Sequence, residues 1–177
     1  MTTLPPIIQA LLGVTVLIAA FTDIRRREIP NWLTLGAIAA GLIAHPALSG
    51  WPGFQLSALG FFVAALVFLP LFVLRFLGGG DVKLMGAIGA LAGYQNLFVV
   101  FLLDAVLAGI AAAVLIIVRG RVRQTLRNIG RGFRSLAKGR APHQDNPEME
   151  AGGEQSLGMP RAVTIALATL LLLFGMN

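Results

Sequence analysis

Two aspartates stand at the ends of apolar runs: Asp23, followed by Arg25-Arg26-Arg27, and Asp81, preceded by Gly78-Gly79-Gly80. A carboxylate at membrane depth is expensive unless it is paired, hydrated or protonated, so acids in an oily sequence mark function. Two carboxyls held a few ångströms apart cannot both ionise cheaply, and they share one proton. The ionised member then deprotonates a water and the protonated member polarises a carbonyl, which is the chemistry of peptide hydrolysis. Gly78 to Gly80 suit such a site, because glycine lets an extended strand approach without a Cβ clash. A membrane helix hides its peptide bonds in internal hydrogen bonds, so a substrate must be unwound beside the carboxylates. The plainer readings are that Gly-Gly-Gly-Asp ends one helix and caps the next, and that Asp23 balances the arginines behind it.

The elements that must position these acids are membrane helices. Of 177 residues 56% are hydrophobic and 12% charged, and the mean hydropathy of +0.81 excludes a water-soluble globular domain and a disordered chain. A crossing of the hydrocarbon core takes about 20 apolar residues. The expected architecture is an all-α, polytopic membrane protein with a single membrane-embedded domain, 1–177. Its six transmembrane helices fall near 4–22, 32–48, 54–76, 82–95, 97–118 and 160–176, with a cytoplasmic polar loop over 119–159. The first run has no basic residue before it and three arginines after it, the reverse of a secretory signal, and reads as a retained span. The chain lacks cysteine, and His45 and His143 lie far apart. No metal and no cofactor are expected.

Lysine and arginine concentrate in loops that stay in the cytoplasm. Placing Arg25 to Arg27 inside puts the N-terminus outside, and the six-span count then sends all fourteen basic residues inside. Asp23 and Asp81, 58 positions apart, fall at the cytoplasmic ends of their helices. Asp23 is expected to open a short, rigid connection over 24–31 that Pro30 and Asn31 close before the second helix. Pro70 is a possible kink, and Gly89 and Gly93 form a small-xxx-small packing face.

Within 119–145 the apolar residues Val122, Leu126, Ile129, Phe133 and Leu136 recur at helical spacing among arginines. That pattern describes an amphipathic basic helix on the membrane surface, with anionic lipid of the cytoplasmic leaflet as its partner rather than nucleic acid. Asp145, Glu148, Glu150 and Glu154 form an acidic connector. Asp104 falls inside the fifth span, far from expected water, where an acid should face the bundle or stay protonated. Buried hydrogen bonding or helix association is its expected role.

Gly78-Gly79-Gly80-Asp81-Val82-Lys83-Leu84-Met85, together with Asp23, Arg25 to Arg27 and Ile29-Pro30-Asn31, resembles the prepilin peptidases, or type IV leader peptidases. These belong to the wider Gly-x-Gly-Asp class of intramembrane aspartyl proteases. The similarity covers roughly 10–118. It implies an aspartic endopeptidase of the prokaryotic plasma membrane, which removes a short basic leader from pilin-like precursors on the cytoplasmic side during pilus or secretion-system biogenesis. Asp23 and Asp81 carry over as the catalytic pair. Gly78, Gly79, Gly80, Lys83, Pro30 and Asn31 carry over as the substrate and active-site loop, although Lys83 also reads as a lysine snorkelling to headgroups.

Two departures stand out. Larger relatives carry a methyltransferase domain with paired cysteines, so a cysteine-free chain is expected to cleave without methyl transfer. Gly158-Met159-Pro160-Arg161 replaces a Pro-aromatic-Gly pattern. Presenilin-like proteases want Tyr-Asp and Pro-Ala-Leu, where this chain has Thr22-Asp23 and Pro160-Arg161. Two other classes compete: a small ion- or proton-coupled transporter centred on Asp104, with Gly78 to Gly80 as a broken helix, and an assembly factor working through its basic loop.

Overall fold

The computed structural model describes residues 4–74, 77–118, 120 and 161–176. They form helices α1 (Pro6–Arg26), α2 (Asn31–Val73), α3 (Gly79–Val118) and α4 (Arg161–Phe174). Helices α1, α2 and α3 are long and apolar enough to cross a membrane. The basic segment and acidic connector expected over 119–159 lie outside the described residues, apart from Gly120, as do Arg75, His143 and Pro160.

Two of these helices are folded back on themselves. Gly50 (φ 62°, ψ −143°) interrupts α2, and Gly93 (φ 76°, ψ 166°) interrupts α3. Both have positive φ, a region that side-chain-bearing residues rarely enter. The reversal of α2 is read from its contacts. A Cβ on Gly41 would stand 2.6 Å from the Ala90 carbonyl oxygen, and Ser57 Oγ donates to that same oxygen at 2.7 Å. A straight helix would set positions 41 and 57 about 24 Å apart. The four apolar runs expected over 32–118 are thus present as four helical arms, with one break at Gly50, inside the turn expected over 49–53, and the other at Gly93, just before the turn expected around 94–96.

Other boundaries differ from expectation for local reasons. Asp23 does not open the first connection, because α1 continues to Arg26. Arg25 and Arg26 in its last turn suit the negative end of the helix dipole, and Arg27 ends it in the left-handed region (φ 53°, ψ 31°), its N–H bonded to Asp23 O at 2.9 Å. The connection shrinks to Arg27 through Pro30. Pro30 stands just before α2, and its carbonyl accepts from the Leu33 and Thr34 amides. Pro70 sits inside α2 without breaking it, since Gly50 is the non-helical residue of that element.

The core is a seam between helices. Ile8, Leu12 and Val16 of α1 meet Leu84, Ile88 and Leu91 of α3 and Ile165 and Leu172 of α4, all nearly inaccessible. Residues 84–93 of α3 are buried on every side, whereas α1, α2 and the second arm of α3 turn apolar faces outward, where Leu17, Phe62, Leu66, Val106 and Ile110 are exposed. Outward apolar faces of that extent fit lipid rather than water. Between α2 and α3, Gly60 and Gly89 bring their backbones into contact, each so close that a Cβ would collide with the other's carbonyl oxygen. Gly89 therefore packs as expected, whereas Gly93 serves as the break. His45, also buried, bonds through Nε2 to Leu91 O at 2.7 Å.

This contact sets an expectation. Gly60→Ala should lower stability by about 1–3 kcal/mol through overpacking, whereas Gly36→Ala, at a position with open space around it, should leave stability unchanged or slightly raised. Thermal unfolding of both variants in the same detergent checks the contrast.

Candidate active site

The N-terminal turn of α4 joins the two aspartates. Asp23, half-buried near the end of α1, accepts the Ala162 N–H at Oδ2, 3.0 Å away. The first amides of a helix have no partner within it, and the positive end of its dipole favours an anion, so a carboxylate from a neighbouring helix satisfies both demands. One residue earlier, Arg161 Nε lies 3.8 Å from Asp81 Oδ2. That distance is an ion pair without a hydrogen bond. Two consecutive residues of α4 thus touch both acids.

Asp81 is 8% exposed and sits in the first turn of α3. Its carboxyl accepts a hydrogen bond from the Gly78 backbone, and Asp23 and Asp104 both lie within electrostatic reach of it. An acid at the third helical position reaching back to the amide before the helix is half of a capping box. Asp81 therefore fills the capping role that its sequence position allows, and stands in the acidic site as well.

The remaining expected site residues gather around the starts of α2 and α3. Lys83 Nζ donates to Asn31 Oδ1 at 2.9 Å, so this lysine, although exposed, is tied to the beginning of α2. A Cβ on Gly80 would stand 3.4 Å from Ile29 Cδ1, and one on Gly79 would stand 3.3 Å from the Phe72 ring. Gly78 meets the Asp81 carboxyl. The structure thus brings Asp23, Gly78 and Asp81 together at α4, and Pro30, Asn31 and Lys83 together at the neighbouring connection.

A cleft of about 200 Å³ opens beside Asp81. Phe68, Leu71, Leu77, Met85, Phe101 and Ile165 form its apolar wall, while Asp81, Asp104 and Arg161 supply charge. Phe68 and Phe101 meet edge to face with centroids 5.4 Å apart. Asp104 and Arg161 were not expected here. Asp104 shares the depth of Asp81 because the chain turns at Gly93: Asp81 lies twelve residues before the turn and Asp104 eleven after it, about 18 and 16 Å of helix. That near-equal spacing is the signal in the sequence that could have found it. Thr164 of α4 hydrogen-bonds the Asp104 carboxyl, which agrees with the expected buried hydrogen bonding. Arg161 carried no comparable signal, since it reads as one more cytoplasmic cation.

Residues 10–113, which include both aspartates and the glycine triplet, match the family model described as the type IV leader peptidase family. The chain belongs to that family. Among curated proteins, the "Prepilin leader peptidase/N-methyltransferase" of Legionella pneumophila is 32% identical over 123 residues, covering 66% of this chain and 43% of that protein. "Prepilin peptidase EppA" of Methanocaldococcus jannaschii is 34% identical over 103 residues, covering 58% of this chain and 29% of that protein. The chain therefore spans less than half the length of these relatives. No solved structure matches it.

The leader peptidase family match ends at residue 113, before α4, yet α4 supplies the groups that meet both acids. If Asp23 caps α4, Asp23→Leu should lower stability by about 0.5–2 kcal/mol, the range for losing a helix cap. Asp23→Asn retains a carbonyl acceptor for the Ala162 amide and should stay close to wild type. Unfolding of the two variants in detergent separates them.

Proposed function

We propose that this protein is an intramembrane aspartic endopeptidase, in which Asp23 and Asp81 together remove the short basic leader of pilin-like precursors at the cytoplasmic face of a prokaryotic plasma membrane. The product would serve pilus or secretion-system assembly. The observation that carries this reading is the meeting of Asp23 and Asp81 at consecutive residues of α4, inside a chain of the type IV leader peptidase family.

Each part of the site has a role in this mechanism. Asp23 Oδ2 is occupied by the Ala162 amide, which leaves its second oxygen for the attacking water. Asp81, the more buried acid, lies on the apolar cleft and in its protonated form would donate to the scissile carbonyl. The shared proton of a carboxyl pair supplies both protonation states at once. Arg161, whose Nε lies 3.8 Å from Asp81 Oδ2, offsets part of the acidic charge beside the peptide. Gly78, Gly79 and Gly80 leave room for its extended backbone, and Pro30, Asn31 and Lys83 hold the neighbouring loop against it.

On this reading the four arms of α2 and α3 join α1 and α4 as six crossings, with the N-terminus outside and the basic 119–145 segment against anionic lipid. The chain lacks cysteine, so single introduced cysteines report topology directly. Ser49→Cys, at an exposed position beside the Gly50 turn, should react with a membrane-impermeant thiol reagent in intact cells. Glu28→Cys, exposed after α1, should react only after the membrane is opened.

The decisive test is cleavage. Coexpressed with a pilin-like precursor, the wild-type protein should release a leader, read as a mass loss in the precursor. Asp23→Asn and Asp81→Asn should each reduce that release by at least about a hundredfold, the scale of losing an acid–base catalyst, while remaining folded in the membrane. Processing at the wild-type rate by both variants would end the proposal.

A further inference from the structure

Asp104 has no part in the mechanism above, yet it lines the same cleft as Asp81. It is 5% exposed, and no donor reaches its Oδ1 among the described residues. Buried polar atoms are almost always hydrogen-bonded, and this acceptor lies just beneath the lining of the cleft with under 1 Å² of its own surface, so a donor entering the cleft satisfies it once the carboxyl turns toward it. The geometry points to Asp104 as a substrate-binding residue that accepts a backbone N–H of the peptide lying beside Asp81, with an apolar side chain of that peptide seated in the cleft. This inference rests on the peptidase reading and extends it to a subsite.

The chemistry of the cleft selects that partner. Its volume of about 200 Å³ falls below the roughly 300–1,000 Å³ of small-molecule sites, and suits a side chain rather than a whole ligand. Phe68, Leu71, Met85, Phe101 and Ile165 offer an apolar side chain its contacts. A cationic side chain would have to lie along those walls and beside Arg161, which already brings a guanidinium to the cleft. A peptide N–H reaches the same oxygen without adding charge, and arrives joined to the apolar side chain. Thr164 shares its one hydroxyl proton between the Asp104 carboxyl and Arg161 O, 2.9 Å away, which ties the acid to the turn of α4 that meets Asp23 and Asp81.

The test uses the full chain in detergent micelles and synthetic precursor peptides, each with a basic leader and a following apolar segment. In a series of these peptides one backbone N–H at a time, other than at the cleaved bond, is replaced by an ester oxygen. For the wild-type protein one ester position should raise KM up to about tenfold, the upper end for one hydrogen bond, with kcat retained. Asp104→Leu should show a similar rise with the all-amide peptide and no further rise with that ester. Asp104→Asn, which keeps a carbonyl acceptor, should stay within about threefold of wild type. The ester series on wild-type protein leaves every protein charge in place, so it remains decisive even where Asp104→Leu folds poorly. The subsite is overturned if no ester position raises KM, or if Asp104→Asn loses as much as Asp104→Leu, which would assign a cation to Asp104 instead. Cleavage of the all-amide peptide that persists through either result leaves the peptidase reading standing, whereas absence of any cleavage by wild type removes that reading itself.

Discussion

A helix that begins among other apolar helices leaves its first amides without partners, and the arrangement of this site follows from how α4 meets that demand. The carboxylate of Asp23 meets that demand across the helix boundary, accepting the Ala162 amide. Once that bond is made, the residue before Ala162 has little choice of direction. Arg161 is delivered to Asp81, and Thr164, one turn in, to Asp104. Three acids from α1 and the two arms of α3 are thus indexed to a single turn of α4. The same contacts hold α1 and α4 in antiparallel register, since Gly13, ten residues before Asp23, lies against Leu173, eleven after Ala162.

The depth of these acids depends on two glycines remote from them. Gly50 and Gly93 permit reversals within α2 and α3 that a side chain would strain, and each reversal converts sequence distance into a shared level. Close packing of the reversed arms then requires small residues at the crossings, which Gly41, Gly60 and Gly89 provide. The bundle is consequently built around backbone-to-backbone approach in its α2–α3 half and around larger apolar side chains, such as Ile8, Leu12 and Ile165, where α1 and α4 close it. In lipid, where apolar burial between helices gains little over contact with acyl chains, such close approach is a main source of cohesion.

Much of this was legible in the sequence because hydropathy and the two acidic motifs are local signals. The apolar runs, the reversals near residues 50 and 93, and the placing of Asp23 and Asp81 at the same end of their helices could be read from span counting and the distribution of arginine and lysine, whereas their facing each other could not. What could not be read were consequences of packing. Asp104 looks like a stranded acid in mid-span when measured from the start of an apolar run, and only the position of the Gly93 break puts it level with Asp81. Arg161 looks like a cytoplasmic cation or a departure from a family pattern, because nothing local says that its helix begins against Asp23. Lys83 and Asn31 belong to different helices, and their bond depends on how closely α2 and α3 start together.

Charge at the site runs against charge over the chain. The whole sequence carries a net charge of +6, which alone would repel the basic leader of the proposed substrate. The described residues offset it at the site. Asp23, Asp81 and Asp104 gather around Arg161, so even with one proton shared between Asp23 and Asp81 the cleft is not positive. Beyond about 8–10 Å, salt screens exposed charges at physiological ionic strength, so solvated arginines farther away count for less at the mouth of the cleft than these acids do within it. On the proposed function, a cationic leader would stay in the headgroup region, attracted locally by the acids, while the apolar segment behind it would face the wall formed by Phe68, Met85 and Phe101. The peptide joining them would cross the site where the charged and oily surfaces meet, and that border is where Asp81 lies.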